Sequence, residues 1–258
     1  MMYMNFEYID IHCHGYFKDY DNDREEMMNR AEETGVSMIH VGTGLETSRQ
    51  AVSLAEEYPE HNYATVGIHP ADLENFDEQN FEELLSNPKV VAIGECGLDY
   101  FHKPETKNEQ VDIFEKQISL SEKYKKPLML HIRNGKNGED AYKDVYEILQ
   151  GKNVLGNVHF FAGTKEDARK FLDLGFTCSF TGVITFAKEY KELVEFIPDD
   201  MIHAETDAPY VAPVPERGKR NEPVFVIHVV EKMARIKGKD IEDMKEILRQ
   251  NAKRVFGV

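Results

Sequence analysis

A chain of 258 residues with 41% hydrophobic content can bury one sizeable core, and one α/β barrel or one doubly wound sheet would use all of it. Acidic residues outnumber basic ones 47 to 31, and the charge of −16 repels polyanions at long range, which argues against a non-specific duplex binder but leaves room for a local basic mouth. No apolar run reaches bilayer length and no basic, apolar leader opens the chain, so a soluble, cytosolic protein is expected; Cys13, Cys96 and Cys178, scattered and without a Cys-x-x-Cys pair, argue against a disulfide framework or a cysteine zinc site.

The first strand is expected over 8–14, Tyr-Ile-Asp-Ile-His-Cys-His. A strand alternates its side chains, so Asp10, His12 and His14 share one face and Ile9, Ile11 and Cys13 the other. The apolar face suits burial against helices, whereas a row of Asp, His and His is costly unless something polar or metallic satisfies it. A helix over 23–34 follows, with Met27, Met28 and Ala31 at helical spacing and Gly35 as its stop. The alternation continues with a strand over 36–41, a helix over 45–58, a strand over 63–66 and a helix over 76–85. The stretch 89–95, Lys-Val-Val-Ala-Ile-Gly-Glu, is apolar almost throughout, as a strand buried on both faces should be, and it ends on Glu95. Val111, Phe114, Ile118 and Tyr124 trace one face of a long helix that stops before Pro127, and the strand over 127–131 ends on His131.

The second half repeats the pattern: a helix over 139–149, a strand over 154–159 ending on His159, a helix over 165–174, a strand over 176–180 and a helix around 189–196. An eighth strand over 201–207 would put His203, Glu205 and Asp207 on one face. Asn221 is expected to cap a helix running through Arg235, and Asp240 one over 241–254. There is no internal repeat, low-complexity tract or linker. Eight strand-then-helix units therefore predict an α/β TIM (β/α)8 barrel, a single domain over 1–258, with an open doubly wound sheet as the alternative.

On that scaffold the polar residues stop looking scattered. His12 and His14 end the first strand, Glu95 the fourth, His131 the fifth, His159 the sixth and Asp207 the eighth, all on the carboxyl face where barrel enzymes build their sites. Singly, each has a plainer reading: a core hydrogen bond for a strand-end histidine, a lysine-paired acid for Glu95, a turn cap before Pro209 for Asp207. Jointly, four imidazoles and two carboxylates exceed one tetrahedral ion and suit two ions bridged by a carboxylate.

Motifs along nearly the whole chain carry a resemblance. They are Asp-Ile-His-Cys-His (10–14), Gly-Ile-His-Pro (67–70), Ile-Gly-Glu-Cys-Gly-Leu-Asp-Tyr (93–100), Pro-Leu-Met-Leu-His-Ile-Arg (127–133), His-Phe-Phe-Ala-Gly (159–163), Ser-Phe-Thr-Gly (179–182), Glu-Thr-Asp-Ala-Pro-Tyr (205–210) and Arg-Asn-Glu-Pro (220–223). Together they resemble the TatD family of metal-dependent deoxyribonucleases, within the amidohydrolase superfamily. The resemblance implies that His12, His14 and Asp207 hold one metal and His131 and His159 another, with Glu95 shared between them. It further implies a 3′-5′ exonuclease acting on single-stranded DNA, with RNA as a further substrate, and two divalent ions, Mg²⁺ or Mn²⁺; four imidazoles by themselves suit Zn²⁺ as well. The chain departs from the family after Arg133, where Asn134 to Gly138, Asn-Gly-Lys-Asn-Gly, replaces a shorter segment.

Mechanistically, a metal-bound hydroxide would attack phosphorus, with Asp207 and Glu95 as the catalytic carboxylates, Asp207 orienting the water and taking its proton. For substrate contacts, His69 is placed to stack on a base or hydrogen-bond the leaving group, Arg133 to fork onto a phosphate, and Glu205 to hold a ligand or a substrate base, with a structural ion pair as its alternative. Arg217, Lys219 and Arg220 form a cationic patch after the eighth strand. Tyr100, Phe101 and Tyr210 flank the site as stacking or packing groups, His40 and His203 belong to the core or behind the ligands, and His61, His102 and His228 to the surface. No membrane or obligate protein partner is expected. Hydrolysis of a small amide, lactone or phosphotriester by the same centre is the alternative, though related hydrolases often bridge with a carbamylated lysine where this chain has Glu95. A non-catalytic nucleic-acid or metal-binding protein would lack the orienting Asp207.

Overall fold

The computed structural model describes residues 6–258, and among them eight parallel strands follow one another in chain order around a barrel. They are β1 (Tyr8–Cys13), β2 (Val36–Val41), β3 (Asn62–Val66), β4 (Val90–Asp99), β5 (Leu128–Arg133), β6 (Gly156–Val158), β7 (Thr177–Phe180) and β8 (Ile202–Ala204). Between and after them run α1 (Arg24–Glu33), α2 (Leu45–Glu57), α3 (Glu78–Leu85), α4 (Lys107–Tyr124), α5 (Ala141–Leu149), α6 (Lys165–Asp173), α7 (Lys191–Phe196), α8 (Val226–Lys237) and α9 (Ile241–Phe256). None of these helices is long and apolar enough to cross a membrane. The fold is the expected TIM barrel, and the doubly wound alternative falls because the sheet curls until its ends meet. Cys13 bridges to Ala208, His14 N donates to Ala208 O at 2.8 Å, and Asp207 N donates to His12 O at 2.9 Å.

The apolar residues of β1, Ile9, Ile11 and Cys13, are fully buried, as are Met27 and Met28 of α1, so the alternating strand and the helical stripe meet in one core. A polar column lies deep in the sheet. Thr177 Oγ1 donates to Asn157 Oδ1 at 3.0 Å, Asn157 Nδ2 to Ser179 Oγ at 2.7 Å, and Ser179 Oγ to Glu205 Oε2 at 2.8 Å. Each of these groups is buried, and each finds a partner, as burial of polar atoms demands.

β5 runs two residues past its expected end at His131, to Arg133, and two further strands depart more from the expectation. β4 does not stop at Glu95 but continues to Asp99, with Cys96 to Asp99 in register against Leu130 to Arg133 of β5 and a register shift between Ile93 and Cys96. Gly97 permits this: its φ is +131°, and a Cβ there would stand 2.2 Å from His131 O. β8, by contrast, ends at Ala204, so His203, Glu205 and Asp207 do not share one strand face. His203 packs 5.7 Å from the Phe256 ring of α9, Glu205 turns toward β7, and Asp207 adopts a left-handed φ of +55°.

Asn221 is not the cap of α8, which begins at Val226 after a short turn of tighter helix over Pro223–Phe225. Its amide instead ties the segment after β8 together. Nδ2 donates to Thr206 O at 2.9 Å and to Tyr210 O, Oδ1 accepts from Glu222 N at 2.9 Å, and its carbonyl accepts from Tyr20 OH at 2.6 Å. Asp240 does cap α9, accepting from Ile241 N. Because Asn221 is fully buried, Asn221→Ala should strand two backbone carbonyls and cost about 2–4 kcal/mol of stability by denaturant titration; a cost under about 0.5 kcal/mol, the level of an ordinary surface substitution, would contradict this role.

Candidate metal centre

The site is built around Glu95, whose side chain is 5% exposed and whose two oxygens face different histidines. Oε2 lies 3.4 Å from His12 Nε2 and 3.9 Å from His14 Nε2. Oε1 lies 2.9 Å from His131 Nδ1, 3.5 Å from His69 Nε2 and 3.9 Å from His159 Nε2. Asp207 closes the first group, with Oδ1 3.5 Å from His14 Nε2 and 3.8 Å from His12 Nε2. The closure of the barrel between β1 and the segment after β8 is what puts Asp207 there.

The donors are arranged for a cation rather than for one another. His14 Nδ1 is 2.8 Å from Val41 O, and a carbonyl only accepts, so a proton is assigned to Nδ1 and Nε2 is the ring nitrogen left facing Asp207 and Glu95. A lone pair set against carboxylates is repulsive unless a proton or a metal ion lies between them. His12 Nε2 and His14 Nε2 also stand only 3.3 Å apart, and buried His12 Nδ1 has no hydrogen-bond partner. The groupings His12, His14, Glu95 and Glu95, His131, His159 each converge closely enough to hold one ion, so the residues present fit a two-ion site sharing Glu95.

Two carboxylates hold histidines from behind. Glu205 Oε1 lies 3.0 Å from His159 Nδ1 and accepts from Phe160 N at 2.7 Å. Asp99 Oδ2 lies 2.9 Å from His131 Nε2 and 2.8 Å from His102 Nδ1. Each leaves the opposite ring nitrogen facing Glu95, the arrangement by which a carboxylate orients a metal-binding imidazole. A strand read as ending at Glu95 passes over Asp99, whose signal is the period-two spacing Glu95, Gly97, Asp99.

Burial alone raises the Glu95 carboxyl, but the imidazoles, His69 and His12 foremost, outweigh it and hold it well below the usual carboxylate range. Burial likewise raises Asp207, and His14 and its neighbours outweigh it and bring Asp207 down, so both acids are ionised at neutral pH. Burial lowers His12, and takes His69 down to about 3. For His159 burial is overcome by Glu205, which carries the ring up to about 10; His131 is raised too, against burial, by Asp99 and Glu95.

The other expected contacts divide. His69 sits beside Glu95, its ring 4.3 Å from that of His131, closer to the ligands than a base-stacking group would be. Arg133 lines a cleft of about 830 Å³ over the site, together with Lys103 and Tyr210. Glu205 is fully buried against His159 and Ser179, so it positions a histidine and has no face for a substrate base. Two of the three cations expected after the eighth strand are paired with acids, and the third lies over a ring. Arg220 is gripped by Asp23 at 2.6 Å, Glu222 at 3.0 Å and Asp19 O at 2.7 Å, Lys219 pairs with Glu216 at 2.6 Å, and Arg217 lies over the Phe186 ring. Tyr100 is buried and donates to Asp144 at 2.8 Å, a packing role. His40 is core, bonded to Asn62 at 3.1 Å.

Because His131 and His159 are raised, a metal ion must displace protons from them, and the sign follows: affinity rises with pH up to the His159 value of about 10. Titrating Mn²⁺ calorimetrically into metal-free protein in buffers of different ionisation enthalpy should register net proton release near neutral pH. Glu205→Gln should reduce that release and weaken binding roughly 10–100-fold. Affinity independent of pH between about 6 and about 8, the range in which imidazoles ordinarily titrate, would contradict the assignment.

Known proteins resemble the chain along nearly its whole length. Residues 9–257 match the family described as TatD related DNase. An uncharacterized metal-dependent hydrolase of Bacillus subtilis, YabD, is 39% identical over 96% of this chain and 98% of its own length. A protein of a Rahnella strain named 3′-5′ ssDNA/RNA exonuclease TatD is 33% identical over 93% of this chain and 94% of its own. Among solved structures, the TatD homologue YJJV of Escherichia coli superposes with a TM-score of 0.89 at 27% identity, covering 99% of this chain and 100% of that one. With the match running from β1 into the last helix, the chain belongs to the TatD family of metal-dependent hydrolases.

Proposed function

We propose that the chain is a 3′-5′ exonuclease on single-stranded DNA, with RNA as a further substrate, and that it works with two divalent ions. His12, His14 and Asp207 would hold one ion, His131 and His159 the other, and Glu95 would lie between them. The observation that carries this reading is the division of Glu95, with Oε2 toward His12 and His14 and Oε1 toward His131 and His159. The nucleic-acid substrate is supported by relatives named 3′-5′ ssDNA/RNA exonuclease at 33% and 34% identity, and by a cleft whose rim carries Lys103 and Arg133.

Bound divalent ions would supply an acidified water at neutral pH and offset the charge of the phosphoryl group. The chain's own residues do the rest. Asp207, ionised and 14% exposed, faces the cleft from its left-handed turn, where it orients the attacking water and accepts its proton. Its conformation is secured on both sides, by Asp207 N to His12 O at 2.9 Å and by Tyr210 N to Asp207 O at 2.8 Å. Phe17, stacked 4.7 Å from the His14 ring, shields one wall of the site from water. Arg133 and Lys103, on the rim of the cleft, meet the phosphates of the strand outside the centre.

A single-stranded oligonucleotide labelled at its 5′ end should be shortened from its 3′ end by metal-stripped protein once Mg²⁺ or Mn²⁺ is restored. Asp207→Asn should lower the rate by roughly 10²–10⁴, the usual contribution of a positioned base. Metal-loaded wild type that leaves both DNA and RNA intact would overturn the nuclease reading and point to small ester or amide substrates.

A further inference from the structure

The segment Asn134 to Gly138, Asn-Gly-Lys-Asn-Gly, lies directly beyond Arg133 and carries one cation, Lys136. Lys136 Nζ stands 4.0 Å from the centre of the Phe101 ring, and the Arg133 guanidinium carbon stands 4.2 Å from the same centre. Two positive charges are thereby gathered on one aromatic ring at the edge of the metal cleft. Both side chains are exposed, and among the described residues neither has an ion-pair partner. In a protein with a charge of −16, that placement calls for an external anion.

The supports on either side are built. Asp99 Oδ1 accepts from Phe101 N and from His102 N, each at 2.8 Å, which pins the turn after β4 that presents the ring. Across from it, Asn134 Oδ1 accepts from Ala141 N at 2.7 Å, Gly135 N donates to Glu139 O at 2.8 Å, and Asn137 N donates to Glu139 Oε2 at 3.1 Å. The loop that holds Lys136 is therefore folded on itself. Attraction of each cation to the ring face offsets their mutual repulsion and arranges both before any ligand arrives. Arg133 lies two strand residues beyond His131, about 6–7 Å further out along β5, so the pair faces substrate outside the position of the bond being cut.

We propose that Arg133 and Lys136, held together by the ring of Phe101, form a receiving site for a backbone phosphate of the nucleic-acid strand one or more nucleotides away from the scissile bond. This rests on the nuclease reading and extends it, since the metal centre then handles the terminal phosphodiester while this clamp grips the strand behind it. Arg133 supplies a planar fork and Lys136 a point charge, a pairing suited to a phosphodiester and indifferent to base identity. Phe101 acts as a positioning residue. A substrate with a single phosphate in the metal centre has nothing to place there.

The test compares two substrates on metal-loaded protein: a short oligodeoxythymidylate, and thymidine 5′-(4-nitrophenyl phosphate), which carries one phosphodiester. Lys136→Gln and Phe101→Leu should raise KM for the oligonucleotide roughly three- to tenfold, the range of one charge-assisted contact, with kcat and the small-ester rate unchanged. Lys136→Arg should restore KM. The salt dependence of kcat/KM on the oligonucleotide should flatten by about 0.7 in logarithmic slope for the lost phosphate contact. Lys136 stands on an exposed loop, so its variant carries the test even if Phe101→Leu unfolds. Wild type that digests the oligonucleotide with a KM and salt slope matched by Lys136→Gln would overturn the clamp and leave the nuclease reading standing. Hydrolysis of the small ester without digestion of the oligonucleotide would overturn both.

Discussion

The structure depends on one buried carboxylate surrounded by imidazoles. Glu95 has five histidines within 3.9 Å of its oxygens, a grouping that burial in a protein interior opposes unless charge is matched. The barrel provides that environment by bringing β1, β4, β5 and β6 into lateral contact and by closing β1 against the segment after β8, which delivers Asp207. Removing the carboxylate would leave imidazoles facing one another, with His12 and His14 already 3.3 Å apart. Fold and site are thus one problem: the same closure that completes the sheet completes the ring of donors.

Behind the donors stand the groups that fix their orientation. Val41 O sets the His14 tautomer, Glu205 holds His159, and Asp99 holds His131, so each ring has one nitrogen anchored and one turned inward. Asp99 does a second job, pinning the turn that presents Phe101. A single buried acid therefore links His131, beside Glu95, to the turn that carries Phe101 at the edge of the cleft.

Much of this was legible in the sequence because it rests on alternation. His12 and His14 one pleat apart, and His131 and His159 at the ends of apolar runs, are statements about period and burial, and period and burial are what a sequence displays. The parts that were not legible depend on partners far away in the chain. Arg220 reads as part of a basic patch until Asp23, 197 residues away, is seen to occupy its guanidinium. Asn221 reads as a helix cap, yet its bonds go to Thr206, Tyr210 and Tyr20. Gly97 lies beyond the expected strand end at Glu95, although a φ of +131° pressed against His131 O is what carries β4 on to Asp99. Charge and glycine are ambiguous in one dimension, because their meaning lies in what stands opposite.

The most direct test of the shared carboxylate is electron paramagnetic resonance of the protein titrated with Mn²⁺. Two equivalents should bind, and their signals should be spin-coupled because Glu95 spans the ions; Glu95→Gln should abolish that coupling. Binding of a single equivalent, or of two ions whose spectra remain those of isolated Mn²⁺, would contradict a centre built around Glu95.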